Sequence, residues 1–313
     1  MACYAERIAA AQRRMRESGA GALVVGPTDN MRYLTGWAEA GHERFLALVV
    51  TATGEPAFVV PAMNAAQARA NPAGIARVRG WADETGWRDD VAAVLGGSVG
   101  PDAALVVDEE LHSVHLLGLQ ALYPGVPCRA SSYLLGPLRA VKSQDEAEML
   151  RRSAAATDAV YRQTLPVLRP GLSEAEVRDH VARGFSALGA DAHFALVCFG
   201  ANSALPHHRS GEARLAEGDV VVLDIGCRLD GYWSDITRTV SCGPAPQGAE
   251  QDYALVHAAH RAAHGATRPG VTCESVDAAA RGVIESGGCG ALFIHRTGHG
   301  IGMSCHEDPY IVR

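Results

Sequence analysis

Asp224 and Asp235, in the second half of the chain, lie in β-forming segments where their carboxylates need a charge partner. Asp224 ends a strongly β-forming apolar run, where an ionised carboxylate buried alone is costly. The turn signal Asp230-Gly231 then leads into a second β-forming run that contains Asp235. If residues 228–231 form a four-residue loop, Asp224 faces Asp235 across a hairpin, with Cβ atoms about 4.5–5.5 Å apart. Such carboxylates repel unless an arginine, a shared proton or a metal ion offsets their charge.

A second group of residues with metal-binding chemistry lies near residue 300. Glycines flank His299 on both sides, so the backbone can approach its neighbours closely and leave the imidazole projecting. His306 follows, but the glycines between the two histidines disfavour a helix. A neutral imidazole beside carboxylates is a common ligand of Mn, Fe, Co or Zn. A third segment, residues 200–208, has the composition of a loop and contains His207 and His208.

Each of these residues also has an ordinary structural explanation. In a hairpin considered alone, Asp224 more often bonds to backbone amides while Asp235 faces water. A single histidine in the position of His299 is more often structural than a ligand. Two adjacent histidines in a loop are usually solvated, so the interest of His207 depends on the other segments.

The elements that must position the second half follow from its hydrophobic pattern. Ser173 and Glu176 have the spacing of a capping box at the start of a helix. The pattern predicts helices at 142–164, 173–188, 250–265 and 273–286, and strands at Phe194–Phe199, Asp219–Gly226 and Tyr232–Ser241. Paired strands joined by tight turns predict an antiparallel sheet with helices on one face, which is an α+β arrangement.

The first half alternates strands and helices. The pattern predicts helices at Ile8–Ser18, Asn64–Ala70 and Trp87–Leu95, and strands at Ala22–Val25, Phe45–Val50, Ala57–Val60 and Ala103–Val107. This order predicts an α/β layer with a partly parallel sheet. We place a domain boundary near residue 138, after Leu135-Gly136-Pro137, which divides the chain into domains 1–138 and 139–313.

Composition narrows the functional class. The 313 residues include 48% hydrophobic and 20% charged residues, which is ordinary for a globular protein. A net charge of -7 argues against a nucleic-acid-binding protein. No apolar run approaches the roughly 20 residues needed to cross a bilayer. The eight cysteines are scattered without a CxxC pair, so we expect reduced thiols and a cytoplasmic protein.

The motifs together resemble a known family. They are similar to the pita-bread metallopeptidases, which include prolidase, Xaa-Pro aminopeptidase, methionine aminopeptidase and creatinase. The matching stretches are Ala204–His207, Asp224–Gly226, Gly231–Tyr232, Ser234–Thr239, Thr297–Gly302, and His306, Glu307 and Pro309. In the first half, Arg32–Trp37, Leu138-Arg139 and Lys142-Ser143 resemble the creatinase/prolidase-type N-terminal domain. That domain favours the Xaa-Pro peptidase branch.

The resemblance assigns a role to each candidate residue. Asp224 would be a bidentate ligand of one divalent ion, Asp235 a bridge between two ions, and His299 a further ligand. His207 and His306 would assist catalysis by stabilising the tetrahedral intermediate and holding the substrate. The ions would be two, with Mn²⁺ favoured by oxygen-rich ligation and Co²⁺, Zn²⁺ or Fe²⁺ as alternatives. The expected activity is hydrolysis of the bond before proline in short peptides, by a homodimer that binds neither nucleic acid nor membrane.

The sequence also departs from the family pattern. The family has two further glutamate ligands downstream of the position of Pro309, and the sequence stops at Arg313. We therefore expect the 313-residue chain as written to lack the end of its catalytic domain and to be nearly inactive. Two other functions stay open, namely a non-catalytic binding protein and a creatinase-like amidinohydrolase. The latter works without the metal pair, so the presence of Asp224, Asp235 and His299 disfavours it.

Overall fold

The computed structural model describes residues 4–40 and 43–313. They form two compact units, divided between Ser143 and Gln144. Residue 138 lies inside the last helix of the first unit. Within the described residues, no helix is both long enough and apolar enough to cross a membrane.

The first unit is an α/β layer, as predicted. Its sheet has the strand order β4-β3-β2-β1-β5-β6, in which β2 runs antiparallel to both neighbours and the remaining pairs are parallel. Its elements are α1 (Tyr4–Ser18), β1 (Ala20–Val25), α2 (Asp29–Thr35), β2 (Ala47–Thr51), β3 (Ala57–Pro61), α3 (Ala65–Arg69), β4 (Arg77–Trp81), α4 (Arg88–Leu95), β5 (Ala104–Val107), α5 (Ser113–Leu122), β6 (Cys128–Ala130) and α6 (Ser132–Ala140).

Burial explains why the pattern revealed some of these elements and not others. Every residue of β1, β2, β3 and β5 is buried, as expected for strands covered on both faces, and all four were predicted. Strands β4 and β6 are largely exposed edge strands without an apolar run, and they were not predicted. The Tyr33-Leu34-Thr35 signature lies on α2, which ends where Gly36 adopts a left-handed conformation with φ 72°.

The second unit has the predicted α+β arrangement. Its main sheet is antiparallel in the order β10-β8-β7, β9 extends the pairing of β8, and β11 and β12 form a separate pair. Its elements are α7 (Gln144–Thr164), α8 (Glu174–Ala187), β7 (Ala192–Phe199), β8 (Val220–Leu229), β9 (Tyr232–Trp233), β10 (Ile236–Ser241), α9 (Ala249–Ala266), α10 (Cys273–Ser286), β11 (Gly298–Gly300) and β12 (Glu307–Ile311). The capping box is confirmed, because Glu176 N donates to Ser173 Oγ and Ser173 N donates to the Glu176 carboxylate.

Strand β8 separates the core of this unit from its open face. Val221, Leu223 and Ile225 are fully buried in the cluster that includes Val177 and Phe185 of α8. The intervening Asp224 projects to the other face and is partly exposed. The apolar run around Asp224 therefore does not bury its carboxylate in the core, because side chains of a strand alternate between faces.

The predicted four-residue loop between the two aspartates is wrong. Asp230 and Gly231 form a two-residue turn with φ values of 52° and 85°, as an Asp-Gly type I′ turn requires. Leu229 therefore pairs with Tyr232, and Asp224 pairs with Thr237 rather than with Asp235.

A buried ion pair fixes the segment that leads into β11. Asp277 of α10 is fully buried and accepts hydrogen bonds from Arg281 Nε at 2.6 Å and Thr297 Oγ1 at 2.7 Å. The same guanidinium donates to the carbonyl oxygens of Phe293 and His295. Burial raises the pKa of Asp277, but the hydrogen bonds from Arg281 and Thr297 outweigh it and leave this pKa below its ordinary value.

We expect Asp277→Asn to lower the free energy of unfolding by about 3 kcal/mol, because it leaves the buried Arg281 without a charge partner. Because the pKa of Asp277 is lower in the folded protein than in the unfolded chain, the ionised carboxylate stabilises the fold at any pH above its pKa in the unfolded chain. This stabilisation is lost as the pH falls through the lower pKa of the folded protein. Urea unfolding should therefore show the difference from wild type at pH 7 and a shrinking difference below pH about 4. Asp252→Asn, at an exposed position of α9, is the control. Equal stability of wild type and Asp277→Asn at pH 7 would contradict the assignment.

Candidate metal centre

The β8–β10 hairpin brings the two aspartates to one face of the sheet. Thr237 lies directly opposite Asp224 and donates a 2.7 Å hydrogen bond from Oγ1 to Asp224 Oδ1. Ile225 pairs with Ile236 and Arg228 with Trp233, so Asp235 stands in register with Gly226. Asp235 is thus a diagonal neighbour of Asp224, at a separation of about 7–8 Å between such positions.

The two carboxylates are electrostatically coupled. Burial raises the pKa of Asp224, the negative charge of Asp235 raises it further, and the hydrogen bond from Thr237 opposes both effects. A cation between the carboxylates would remove this cost.

A buried hydroxyl network holds the backbone beside Asp235. Ser234 Oγ lies 2.6 Å from Thr157 Oγ1 and accepts a 3.1 Å hydrogen bond from Ser153 Oγ, both on α7. Cys227 N also donates to Ser234 Oγ. All these side chains are buried, so the residue before Asp235 is fixed from the core side of the sheet. Gly226 is needed here because a Cβ atom at that position would collide with the carbonyl oxygen of Ser234.

His299 meets the aspartates from β11. Its Nε2 lies 3.4 Å from Asp235 Oδ2, and its Nδ1 lies 2.9 Å from the carbonyl oxygen of Gly300. Because a carbonyl oxygen only accepts, Nδ1 carries the hydrogen of this bond, and Nε2 is the ring nitrogen that faces Asp235. A ring nitrogen that faces a carboxylate, with the other ring nitrogen bonded to a backbone carbonyl, is an arrangement that suits a metal-ligating histidine.

The close backbone approach that the sequence predicts beside His299 occurs at Gly300, whereas a Cβ atom on Gly298 would only contact Ile311 at 3.4 Å. A Cβ atom on Gly300 would overlap the backbone of Glu307 and Asp308 on β12, and one on Gly302 would overlap the carboxylate of Glu307. Strands β11 and β12 therefore pack at a distance that only glycine permits.

His306 lies against His299. Their ring centroids are 4.3 Å apart and the ring planes are inclined by 71°. Burial lowers the pKa of His306, and the neighbouring His299 and Arg296 lower it further. His306 is therefore neutral at pH 7 and has one N–H to donate.

Cys305 also belongs to this cluster, and sequence reasoning missed it. Its Sγ lies 3.8 Å from Asp235 Oδ2, and ligand atoms of Asp235, Cys305 and His306 all lie within 4.8 Å of one another. Burial raises the pKa of the Cys305 thiol to about 12, with further contributions from Asp235 and Asp224. Its place directly before His306 was the available signal, but the thiol was counted among scattered cysteines.

The structure does not bring His207 into this cluster. His207 is exposed, and within the described residues it makes no hydrogen bond or ion pair with Asp224, Asp235 or the two clustered histidines. The adjacent His208 was expected to be solvated, and this is wrong. Its Nε2 lies 2.7 Å from the buried carboxylate of Glu174.

Glu174 fixes both ends of the segment that carries His207. Oε1 accepts from Phe199 N and Asn202 Nδ2, and Oε2 accepts from Gly211 N and pairs with His208. Burial raises the pKa of Glu174, but these hydrogen bonds outweigh it and leave the pKa below its ordinary value. One fully buried carboxylate at the start of α8 thus organises the loop over residues 199–211.

Glu174→Ala should loosen this loop, because four polar groups lose their acceptor at once. We expect amide hydrogen exchange at Phe199 and Gly211 to accelerate roughly tenfold or more, since each lost buried hydrogen bond costs about 1–3 kcal/mol. Glu274→Ala, at an exposed first-turn position of α10, is the matched control. Unchanged exchange at both amides in Glu174→Ala would show that the loop is held by other contacts.

Comparison with known proteins agrees with this geometry. Residues 7–141 match the creatinase/prolidase N-terminal domain, and residues 148–313 match metallopeptidase family M24. A probable dipeptidase PepE of Mycobacterium tuberculosis is 40% identical over 314 residues, covering 99% of this chain and 82% of that protein. The crystal structure of dipeptidase PepE from Mycobacterium ulcerans has a TM-score of 0.92 at 40% identity, covering 99% of this chain and 84% of that chain. A recombinant prolidase from Thermococcus sibiricus has a TM-score of 0.92 at 30% identity, with the same coverage.

Proposed function

Because the chain belongs to metallopeptidase family M24 and carries a creatinase/prolidase N-terminal domain, we propose that it hydrolyses the peptide bond before proline in dipeptides. The peptidase class follows from the family and from the dipeptidase and prolidase relatives. The preference for proline and the use of two divalent ions are the parts that we propose.

The observation that carries the proposal is the convergence of Asp224, Asp235 and His299. Two carboxylates on one sheet face and an imidazole nitrogen 3.4 Å from one of them form a donor set suited to cations. This donor set fits divalent cations, which Asp224, Asp235 and His299 would hold. When bound, such ions polarise the scissile carbonyl and lower the pKa of the attacking water.

The histidines contribute separately. The neutral His306 presents an N–H to the oxygen that gains negative charge as the carbonyl is attacked. In this proposal His207 would hold the substrate, which makes the loop over residues 199–211 part of the proposal, although His207 lies outside the Asp224–Asp235–His299 cluster. The oxygen-rich ligation favours Mn²⁺, with Co²⁺, Zn²⁺ and Fe²⁺ as alternatives.

Two other functions are less well supported. A creatinase-like amidinohydrolase has no need of a metal pair, whereas this chain carries Asp224, Asp235 and His299, three donors suited to divalent ions. A non-catalytic binding function likewise does not require Asp224, Asp235 and His299. Assays with creatine and with dipeptides separate the alternatives directly.

The bridging role of Asp235 predicts that Asp235→Asn loses activity by on the order of a hundredfold or more, since metal chemistry supplies several kcal/mol of the barrier reduction. The fold should change little, because asparagine has nearly the same size and shape as aspartate. Turnover, Mn²⁺ binding by calorimetry and melting temperature are measured on the purified protein. Asp230→Asn, in the turn of the same hairpin, is the control because asparagine tolerates its positive φ of 52°. Turnover close to wild type in Asp235→Asn would refute the bridging role.

The proposed substrate class predicts a higher kcat/KM for Ala-Pro than for Ala-Ala, by roughly tenfold or more, which corresponds to about 1.4 kcal/mol of transition-state discrimination. Release of free alanine is followed at equal Mn²⁺ concentration for both dipeptides. Equal values, or a preference for Ala-Ala, would leave the peptidase class standing but remove the proline specificity.

We also propose that the protein is a homodimer, on the basis of the family resemblance. We propose a cytoplasmic location because the described cysteines are all free thiols. Sedimentation equilibrium of the purified protein measures the oligomeric state.

A further inference from the structure

We propose that Asp235, Cys305 and His306 form a site for a thiophilic divalent cation, of which Zn²⁺ and Cd²⁺ are representatives. The site is adjacent to the Asp224–Asp235–His299 cluster and shares Asp235 with it. It differs from that cluster in its donors, because it adds a sulfur atom and uses His306 instead of His299.

The spacing of the donors suits one small cation. Sulfur and oxygen ligands of a tetrahedral Zn²⁺, at about 2.3 and 2.1 Å from the ion, lie about 3.6 Å from one another. Cys305 Sγ and Asp235 Oδ2 are 3.8 Å apart. The ligand atom of His306 lies within 4.8 Å of both, so all three ligand atoms are within reach of one small cation.

The chemistry of the donors also selects the class of cation. A thiolate, an imidazole and a carboxylate prefer Zn²⁺ and its softer analogues, whereas Mn²⁺ and Mg²⁺ prefer oxygen ligands. On binding, the Cys305 thiol releases its proton to solvent and its sulfur forms the bond to the ion. The thiolate and the Asp235 carboxylate then balance the two positive charges, so the occupied site is neutral.

Cys305 is distinguished from a cysteine in an ordinary position. Sγ of Cys289, which is also half-buried, donates only to the carbonyl oxygen of Gly287 at 3.7 Å. Among the described residues, the Asp235–Cys305–His306 group is where three His, Cys, Asp or Glu ligand atoms fall within 4.8 Å of one another.

The site has a consequence that rests on the proposed function. A cation bound there occupies His306 and draws Asp235 away from its bridging position. Thiophilic cations should therefore inhibit peptide hydrolysis, while Mn²⁺ supports it.

Titration with Co²⁺ tests the site without using activity. A thiolate bound to Co²⁺ gives an intense near-ultraviolet charge-transfer absorption, which carboxylate and imidazole ligands do not. We expect this absorption in the wild type and in Cys289→Ser, and its loss in Cys305→Ser and Cys305→Val. Asp224→Asn should retain it, because Asp224 belongs only to the neighbouring cluster. Wild type without the absorption at saturating Co²⁺, or Cys305→Ser with it, would overturn the proposal.

A second measurement on the wild type alone avoids any effect of substitution on folding. Alkylation of Cys305 by iodoacetamide is followed by mass spectrometry with and without Zn²⁺, Cd²⁺ or Mn²⁺. We expect Zn²⁺ and Cd²⁺ to slow the alkylation of Cys305 roughly tenfold or more, because a thiolate bound to a metal ion is no longer free to attack iodoacetamide. Mn²⁺ should have no such effect. Equal alkylation of Cys305 under all conditions contradicts the proposal. Neither readout involves dipeptide turnover, so failure of the proline specificity and failure of this site are distinguishable.

Discussion

The repulsion between Asp224 and Asp235 is the constraint on which the candidate site depends. Both carboxylates project from the open face of one antiparallel sheet, and the charge of Asp235 raises the pKa of Asp224. The opposite face of β8 is packed with apolar side chains, so neither carboxylate can turn into the core. The divalent cation proposed above would satisfy both carboxylates and His299 together.

The remaining structure of this unit holds the site by buried polar contacts rather than by apolar packing alone. Hydroxyls of α7 fix Ser234 beside Asp235, and the Asp277–Arg281 pair fixes the segment before His299. Glu174 does the same for the loop that carries His207. Each network is buried and costly to break, which holds the segments that carry the candidate residues Asp235, His299 and His207 in place.

The sequence shows three linked motifs, and their chemistry is readable without coordinates. Carboxylates in β-forming runs, a histidine framed by glycines and the Tyr-Leu-Thr-Gly segment together indicated the family, which the comparisons confirm. Most buried strands and the longer helices were predictable because apolar periodicity follows local sequence. The exposed strands β4 and β6 carry little of that signal.

What the sequence by itself determined is the set of donor types, their order along the chain and the classes of the elements that carry them. Tertiary structure decided which atoms meet. The two-residue turn at Asp230-Gly231 set the register, so that Asp224 faces Thr237 and meets Asp235 only diagonally. The bend before β12 turned Cys305 towards Asp235, and the burial of Glu174 drew His208 out of solvent. These outcomes depend on contacts between residues far apart in the chain, and local periodicity contains no information about such contacts.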